Sequence, residues 1–402
     1  MKYDFTSIID RRGKDALAVD GLGQPGTSAP GMPKAGFDPI PMWVADMNFK
    51  TVPAVPEAII QRANHHLYGY FDPSEEYYQA IIHWQEVRNG VEGLRPEHIG
   101  YENGVLGGVI SGLNAVCSRG DFVLLHSPTY IGFTKSLENN GYRIIHSPLK
   151  QDANGIYRMD FEDMERKLKQ YKIHGAVFCS PHNPCGRVWE REEIEKAMEL
   201  YRKYEVFVIS DEIWSDLLLD GNCHIPTQSV SADARQRTIA LYAPSKTFNL
   251  AGLVGSYHIV YNSWLRERME REAALSHYNS MNVFSMHALI GAYGQEGQEW
   301  TDELCQVLSK NVDFAWNYIR THFEGIDCAR PQGTYMLFLD CSRWCKDHGK
   351  TLDDLLQAGW EVGVAWQDGR PFHGPCHIRV NLALPILRVE EAMERLNRYV
   401  FS

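Results

Sequence analysis

The segment TIALYAPSKTFNLAGLVGS (residues 238–256) sets one lysine, Lys246, between two apolar runs. The first run, TIALYA, is short and uninterrupted, which predicts a buried strand. The second run, FNLAGLVG, is again small and apolar. Lysine is rarely buried without a partner, and an apolar setting lowers the pKa of its amine and makes it nucleophilic. Lys246 is therefore predicted to be a functional amine at the end of a strand.

The chain around this segment alternates between strand-like and helix-like stretches. Apolar runs predict strands at 121–127, 175–180, 206–211, 238–243 and 256–261. Residues 190–204 have a helical period with acidic residues at the start, which predicts a helix between two of these strands. Short apolar strands that alternate with helices are typical of a mostly parallel sheet covered by helices on both faces, so we expect an α/β fold.

The two ends of the chain differ from this central part. The first 45 or so residues are rich in Gly and Pro and predict an extended arm over a neighbouring surface. Residues 264–320 predict mostly helix, and the remainder predicts a smaller α+β domain. We expect an arm over 1–50 that forms part of the small domain, a large domain over 51–285 and a small domain over 286–402.

Composition excludes several classes of protein. The chain has 402 residues and a formal net charge of -11, whereas a nucleic-acid-binding surface usually shows a basic stripe. The sequence contains no run of roughly 18 apolar residues, so no membrane span is predicted. The first residues have no apolar core, so no secretory signal is predicted. The nine cysteines are an odd number without a CxxC pair, which favours free thiols in a reducing cytoplasm over disulfides or a metal site.

Polar residues follow several of the predicted strands. SPHNPCGRVW (180–189) contains Asn183, SDEIWSD (210–216) contains Asp211, and ENGVLGG (102–108) opens an apolar helical segment. Each pattern alone is also typical of a turn or a helix cap. In a parallel sheet, however, ligands bind beyond the carboxyl ends of the strands, so these residues are expected to meet Lys246 in one crevice. The GxGxxG match at 21–26 follows no strand and is predicted to be a loop.

These residue types suit an aldehyde cofactor that carries a pyridine ring and a phosphate. A lysine amine forms a Schiff base with a carbonyl, and the ring nitrogen needs an acid to keep it protonated. Asp211 supplies that acid. Backbone N–H groups at the start of the helical segment, with Ser245, supply a phosphate cradle.

The sequence also resembles the fold-type I pyridoxal-phosphate (PLP) enzymes of the aspartate aminotransferase superfamily. Asn183, Asp211, Lys246 and Arg379 occur in the order and at about the spacing of that superfamily. MWVADMNF (42–49), HNPCGRVW (182–189), SDEIWSD and APSKTFNLAGL resemble, more narrowly, the MalY/PatB type of cystathionine β-lyase, or C–S lyase. The resemblance covers nearly the whole chain and implies a PLP-dependent enzyme of amino-acid substrates that works as a homodimer with shared active sites.

The resemblance implies a role for each residue of the site. It implies catalytic roles for Lys246, Asp211 and Tyr130. It implies cofactor contacts for Lys246, Asp211, Asn183, Tyr130, Gly104, Val105, Leu106, Ser245 and Tyr70. It implies substrate contacts for Arg379, Trp43 and Asn183. Tyr70 is expected to reach the phosphate of the neighbouring subunit, with Tyr68 as the alternative.

Two departures bear on the choice of reaction. Trp214 stands where many aminotransferases have a tyrosine that hydrogen-bonds the phenolic oxygen of the cofactor, and there is no obvious second arginine for a dicarboxylate side chain. Arg187 lies in the loop that also contains Asn183, but we do not expect it to bind the side-chain carboxylate of a dicarboxylate substrate. The expected reaction is cleavage of L-cystathionine or a similar cysteine S-conjugate to a thiol, pyruvate and ammonia. An aminotransferase and a PLP-fold regulatory binding protein are the alternatives.

Overall fold

The computed structural model describes residues 1–276 and 279–402. Its strands are β1 (Ile40–Pro41), β2 (Ile99–Asn103), β3 (Phe122–Ser127), β4 (Arg143–Pro148), β5 (Lys150–Gln151), β6 (Tyr157–Arg158), β7 (Gly175–Cys179), β8 (Phe207–Asp211), β9 (Thr238–Tyr242), β10 (Gly255–Ile259), β11 (Asp327–Cys328), β12 (Met336–Asp340), β13 (Val364–Ala365), β14 (Gln367–Asp368) and β15 (His377–Asn381).

The described part of the chain also contains α-helices of four to 28 residues. They are α1 (Leu17–Asp20), α2 (Ala54–Ala63), α3 (Glu75–Asn89), α4 (Val105–Val116), α5 (Ile131–Asn139), α6 (Phe161–Tyr171), α7 (Arg191–Lys203), α8 (Ala232–Arg237), α9 (Ser263–Ser276), α10 (Val283–Ala292), α11 (Gln295–His322), α12 (Ser342–His348), α13 (Leu352–Glu361) and α14 (Ile386–Leu396). Short 3-10 turns cover Pro96–His98, Thr227–Ser229, Ala251–Leu253 and Arg370–Phe372, and a π-helical turn covers Asn397–Phe401.

A seven-stranded sheet forms the centre of the molecule, in the order β2-β10-β9-β8-β7-β3-β4. All five predicted strands are present, and β9, β8, β7, β3 and β4 run parallel, which confirms the α/β prediction. β10 instead pairs antiparallel with both β9 and β2. β2 and β4 were not predicted. The burial of β7 and β9 along their whole length explains why their sequences are apolar throughout.

Helix α7 shows how local sequence sets the elements between these strands. The helix was predicted over 190–204 and is observed over Arg191–Lys203. It starts with a capping box, in which the backbone N–H of Glu190 donates to the Glu193 carboxylate at 2.9 Å. Ile194, Ala197 and Met198 are buried at helical spacing, so one face of α7 packs on the sheet.

The second sheet has four strands in the order β11-β12-β15-β14 and brings Arg379 on β15 toward the site. Its apolar residues share one continuous core with residues of the central sheet and with α11. The boundary predicted between 285 and 286 falls inside α10, which contacts α2. The division into domains stays a prediction.

The amino-terminal arm lies on its own chain for at least part of its length. Phe5 is buried against Phe49 and Trp300, with ring centres 5.2 and 5.5 Å apart. The backbone N–H groups of Lys2 and Tyr3 donate to Glu303 on α11. The surface that the first residues cover is therefore α11 of the same chain.

Two further properties concern the whole described chain. Across residues 1–276 and 279–402, no helix combines the length and the apolar content that crossing a bilayer requires. The nine cysteines are free thiols in this structure.

Candidate active site

The carboxyl ends of β7, β8 and β9 meet at one edge of the central sheet. Cys179, the last residue of β7, is in register with Asp211, and Asp211 is in register with Leu241 on β9. The loops that follow these strands enclose a cavity of about 190 Å³. Its lining is Ala45, Gly104, Val105, Leu106, Tyr130, Cys179, Asn183, Asp211, Ile213, Trp214, Ala243, Ser245, Lys246, Ala251 and Val254. Most of the residues predicted for the site therefore share one cavity.

Lys246 lies four residues beyond the end of β9 and enters this cavity. Its Nζ donates a hydrogen bond to the carbonyl oxygen of Ala45 at 2.9 Å and lies 5.6 Å from the centre of the Trp214 ring. Burial and the positive charge of Arg379 lower the pKa of Lys246 to about 8, against the opposing effect of two carboxylates. A substantial fraction of the amine is therefore neutral slightly above neutral pH, as a base or nucleophile requires.

Asp211, at the end of β8, is a buried carboxylate with few partners. Its Oδ1 accepts one hydrogen bond, from the Ile213 backbone N–H at 3.1 Å, and this is the only one that the described residues give it. Burial raises the pKa of Asp211 to about 7. A cationic or N–H partner placed in the cavity would restore the charged form of this carboxylate.

The neighbouring carboxylate, Glu212, has the opposite environment. It points away from Asp211 because successive side chains of an extended chain face opposite sides. It is fully buried and accepts hydrogen bonds from Ser210, His224, Thr227 and Tyr242. Burial would raise its pKa, but His224 and these hydrogen bonds lower it overall. Glu212 thus anchors the end of β8, and Asp211 faces the cavity.

The amino terminus of α4 forms a second wall. Gly104 precedes the helix with φ +80°, a conformation that favours glycine, and a Cβ there would lie 3.6 Å from Val254. Val105 and Leu106 begin the helix, so their backbone N–H groups have no intrahelical acceptor. Together with the nearby Ser245 hydroxyl they form the kind of cradle that binds a phosphate group.

Two side chains lie between this cradle and Arg379. Tyr130 is partly buried with its ring 5.4 Å from that of Phe133, and burial raises the pKa of its hydroxyl. Asn183 is buried in the loop after β7 and accepts a hydrogen bond from Nη1 of Arg379 at 3.2 Å. Asn183 thus connects the cavity to β15.

Arg379 is 3% exposed, yet the described residues do not satisfy all of its donors. Nη2 donates to the carbonyl oxygen of Trp43 at 2.9 Å and to Gln367, and the guanidinium lies 4.3 Å from the centre of the Phe372 ring. Nε has no acceptor among the described residues. Burial lowers the pKa of Arg379 to about 10, so it is still a cation at neutral pH.

Besides Arg379, which lies beside the cavity, four of the residues considered from the sequence are not part of the cavity lining of this chain. The Trp43 indole donates to the carbonyl of Ala18 at 2.9 Å, and the backbone oxygen of Trp43 accepts from Arg379. Tyr70 is fully exposed, whereas the Tyr68 hydroxyl donates to Ala63 at 2.8 Å. Arg187 is buried in an ion pair with Glu193, away from the cavity lining.

Sequence reasoning missed Ala45, Gln367 and Phe372, which contact Lys246 or Arg379. Ala45 lies within the quoted motif MWVADMNF, which is the one signal that pointed toward it. Gln367 and Phe372 lie in stretches without a recognisable pattern.

Comparison with known proteins identifies the family. The sequence profile described as Aminotransferase class I and II matches residues 40–396, so the chain belongs to this family. It is 33% identical over 362 residues to cystathionine beta-lyase PatB of Bacillus subtilis strain 168, covering 89% of this chain and 92% of PatB. The resemblance to the MalY/PatB type is thereby confirmed.

Two solved structures are similar to this chain in both fold and sequence. A PLP-bound putative aminotransferase from Clostridium difficile 630 is 32% identical, with a TM-score of 0.90 over 99% of this chain and 100% of the other. The PLP-bound C–S lyase from Staphylococcus hominis is 29% identical, with a TM-score of 0.88 over 98% of each chain. The chain therefore has the fold of the type I PLP-dependent enzymes, as predicted.

Proposed function

We propose that the protein is a PLP-dependent C–S β-lyase that cleaves L-cystathionine or a related cysteine S-conjugate to a thiol, pyruvate and ammonia. The observation that carries this proposal is the convergence of Lys246 and Asp211 on one cavity with Arg379 beside it. The similarity to PatB and to the Staphylococcus hominis C–S lyase supports the reaction type.

The residues of the cavity fit PLP. The carboxylate of Asp211 has a single hydrogen bond and a raised pKa, so it suits the protonated nitrogen of a pyridine ring. The start of α4 and Ser245 would hold the phosphate, Tyr130 would lie against the ring, and Asn183 would donate to its phenolic oxygen. When bound, PLP supplies an electrophilic carbonyl and a ring that accepts electrons from the substrate.

The protein's own groups then account for substrate binding and proton transfer. The guanidinium of Arg379, whose Nε has no acceptor among the described residues, would hold the substrate α-carboxylate through two parallel hydrogen bonds. Lys246, with a pKa of about 8, would take the proton from Cα and return protons to the products. The C–S bond breaks with its electron pair on sulfur, and water converts the remaining three-carbon fragment to pyruvate and ammonia.

The wall beside Lys246 favours a thioether over an acidic side chain. Trp214 is 2% exposed and packs edge-on against Tyr335, with ring centres 4.8 Å apart. Among the described lining residues Lys246 is the single cation. Arg187 is occupied by Glu193, so a second carboxylate of a substrate would have no arginine partner there.

An aminotransferase is the second candidate, because the Clostridium difficile structure carries that description. Both reactions use the same lysine, aspartate and arginine. They differ in whether the substrate loses its β-substituent or exchanges its amino group with a keto acid.

We further propose that the enzyme is a homodimer of the cytoplasm. Leu67 and Tyr70 are exposed apolar or aromatic side chains on one loop, at 71% and fully exposed, which supports burial of this loop against a second copy. The free thiols support a reducing compartment. Light scattering that shows an active monomer would contradict the dimer.

One assay separates the two candidate reactions. The purified PLP-loaded protein is incubated with L-cystathionine without a keto acid, and pyruvate and free thiol are measured. We expect equal amounts of both, and none from Lys246→Ala. Lys350→Ala, outside the cavity lining, is the matched control and should retain activity. Turnover that requires a keto acid and yields an amino acid from it would replace the lyase with the aminotransferase.

A further inference from the structure

Residues 43–48, here called the strap, contact both the Lys246 side and the Arg379 side of the site through consecutive backbone carbonyls. Trp43 O accepts from Arg379 at 2.9 Å, and Ala45 O accepts from Lys246 at 2.9 Å. The carbonyls of residues 44 and 46 both accept from Nδ2 of Asn381 at 2.6 Å. Met47 exchanges two hydrogen bonds with Asn249, at 3.0 and 2.9 Å. These side-chain donors come from the segment 246–249 and from β15, so the strap is hydrogen-bonded to the elements that carry Lys246 and Arg379.

A side-chain ion pair fixes the strap from outside the cavity. Arg11, in the amino-terminal arm, donates through Nη1 and Nη2 to the two carboxylate oxygens of Asp46, at 3.2 and 2.5 Å. Nη1 also donates to Oδ1 of Asn48 at 3.1 Å. Both charged side chains are 18% exposed, so this two-point contact is protected from solvent and holds one orientation.

Asp46 also acts on the amine at a distance. Its negative charge raises the pKa of Lys246 and opposes the effects of burial and Arg379. Neither Arg11 nor Asp46 belongs to the cavity lining, so any effect on chemistry passes through the strap or through this field.

We infer that Arg11 and Asp46 are positioning residues for the reaction proposed above. Their ion pair holds the strap so that Lys246 and Arg379 stand at the spacing that one amino-acid substrate needs. The inference rests on the proposed function for its kinetic consequences. Its geometric consequence, the environment of the Lys246 amine, exists without cofactor or substrate.

The first test therefore uses the cofactor-free protein. The rate at which an amine-reactive reagent labels Lys246 is measured against pH, with the labelled peptide identified by mass spectrometry. We expect Asp46→Asn to move the midpoint of this profile to lower pH, because it removes a charge that favours the ammonium form. Arg11→Lys keeps the ion pair's charge and should shift the profile less than Arg11→Gln.

The second test uses the loaded enzyme and L-cystathionine. We expect Arg11→Gln to raise KM about tenfold, the effect of about 1.4 kcal/mol, and Arg11→Lys to recover part of it. Asp220→Asn is the control, because it removes one partner of an ion pair with Arg330 that does not include a residue of the strap. Asp220→Asn should change neither the pH profile of Lys246 labelling nor the KM for L-cystathionine.

The inference is overturned if the Asp46 and Arg11 variants give the labelling profile and KM of Asp220→Asn and differ only in melting temperature. Arg11→Lys, the mildest change, keeps this comparison available if Arg11→Gln does not fold. Failure of the parent enzyme to release pyruvate would contradict the lyase reaction. The labelling profile would still decide whether the ion pair positions Lys246.

Discussion

Replacing Asp211 by asparagine should make the cofactor-free protein more stable. Asparagine has nearly the same shape, and its carbonyl oxygen can still accept the hydrogen bond from the Ile213 N–H. The substitution therefore removes mainly a charge that the described residues leave poorly compensated in a buried position. Removing such a charge is favourable as long as nothing in the cavity needs it.

The size and sign of the effect follow from the pKa of Asp211. Burial raises the pKa of Asp211 from 3.8 to about 7. Each pKa unit corresponds to about 1.4 kcal/mol, so a shift of about 3 units destabilises the folded state by about 4 kcal/mol. Between these two values the folded state binds more protons than the unfolded state, so the penalty grows as pH rises through this window. It is absent below 3.8 and complete above 7.

Urea unfolding of the cofactor-free parent and Asp211→Asn, followed by circular dichroism at pH 5 and pH 8, measures this penalty. We expect the variant to be more stable by about 4 kcal/mol at pH 8 and by clearly less at pH 5. Asp220→Asn, outside the site, is the control for loss of one carboxylate. Equal stability of parent and variant at pH 8, or a difference independent of pH, would refute the reasoning. Added PLP should raise the melting temperature of the parent more than that of the variant.

Three substitutions and one control variant test other parts of the proposed site. Arg379→Lys loses the two-point grip on a carboxylate and should raise KM for L-cystathionine about 10- to 100-fold, or about 1.5–3 kcal/mol; an unchanged KM would contradict that role. Trp214→Tyr should alter the visible absorption band of the loaded enzyme and its pH dependence, while pyruvate release changes by no more than about tenfold. Tyr70→Phe should weaken PLP binding about tenfold in a titration followed by absorbance. Tyr68→Phe should not, because that hydroxyl already donates to Ala63, and equal weakening in both would remove the assignment.

The residues at the strand ends could be predicted because parallel strands finish at one edge of a sheet. Asp211 ends an apolar run, and Asn183 and Lys246 each lie four residues beyond one, so the sequence indicates both their chemistry and their place. The direction of β10 could not be predicted, since an apolar run has the same composition in parallel and antiparallel pairing. β2 reads IGYEN, and its Gly and Glu interrupt the apolar pattern on which a strand prediction depends.

Contacts made by backbone atoms could not be predicted from sequence patterns. Ala45 meets Lys246 through its carbonyl across 201 residues of chain, and an alanine side chain gives no sign of this. The indole of Trp43 donates to Ala18, and a substrate contact of Trp43 stays a prediction. An aromatic side chain suits both a substrate pocket and a packed arm, so the sequence alone does not show which of the two the Trp43 indole contacts.

The continuity of the core across both sheets affects the order in which a newly made chain can fold. The segments that carry Gly104, Asp211 and Lys246 are complete by Ile259, long before β15 brings Arg379. The core around the central sheet also takes residues from α11, β12 and β15. A ribosome-bound chain that has just completed β10 therefore contains Asp211 and Lys246 but still exposes the apolar surface that those later elements cover. Such an intermediate is the kind that chaperones bind, so we expect yield in cells to depend on chaperone supply more than on cofactor supply.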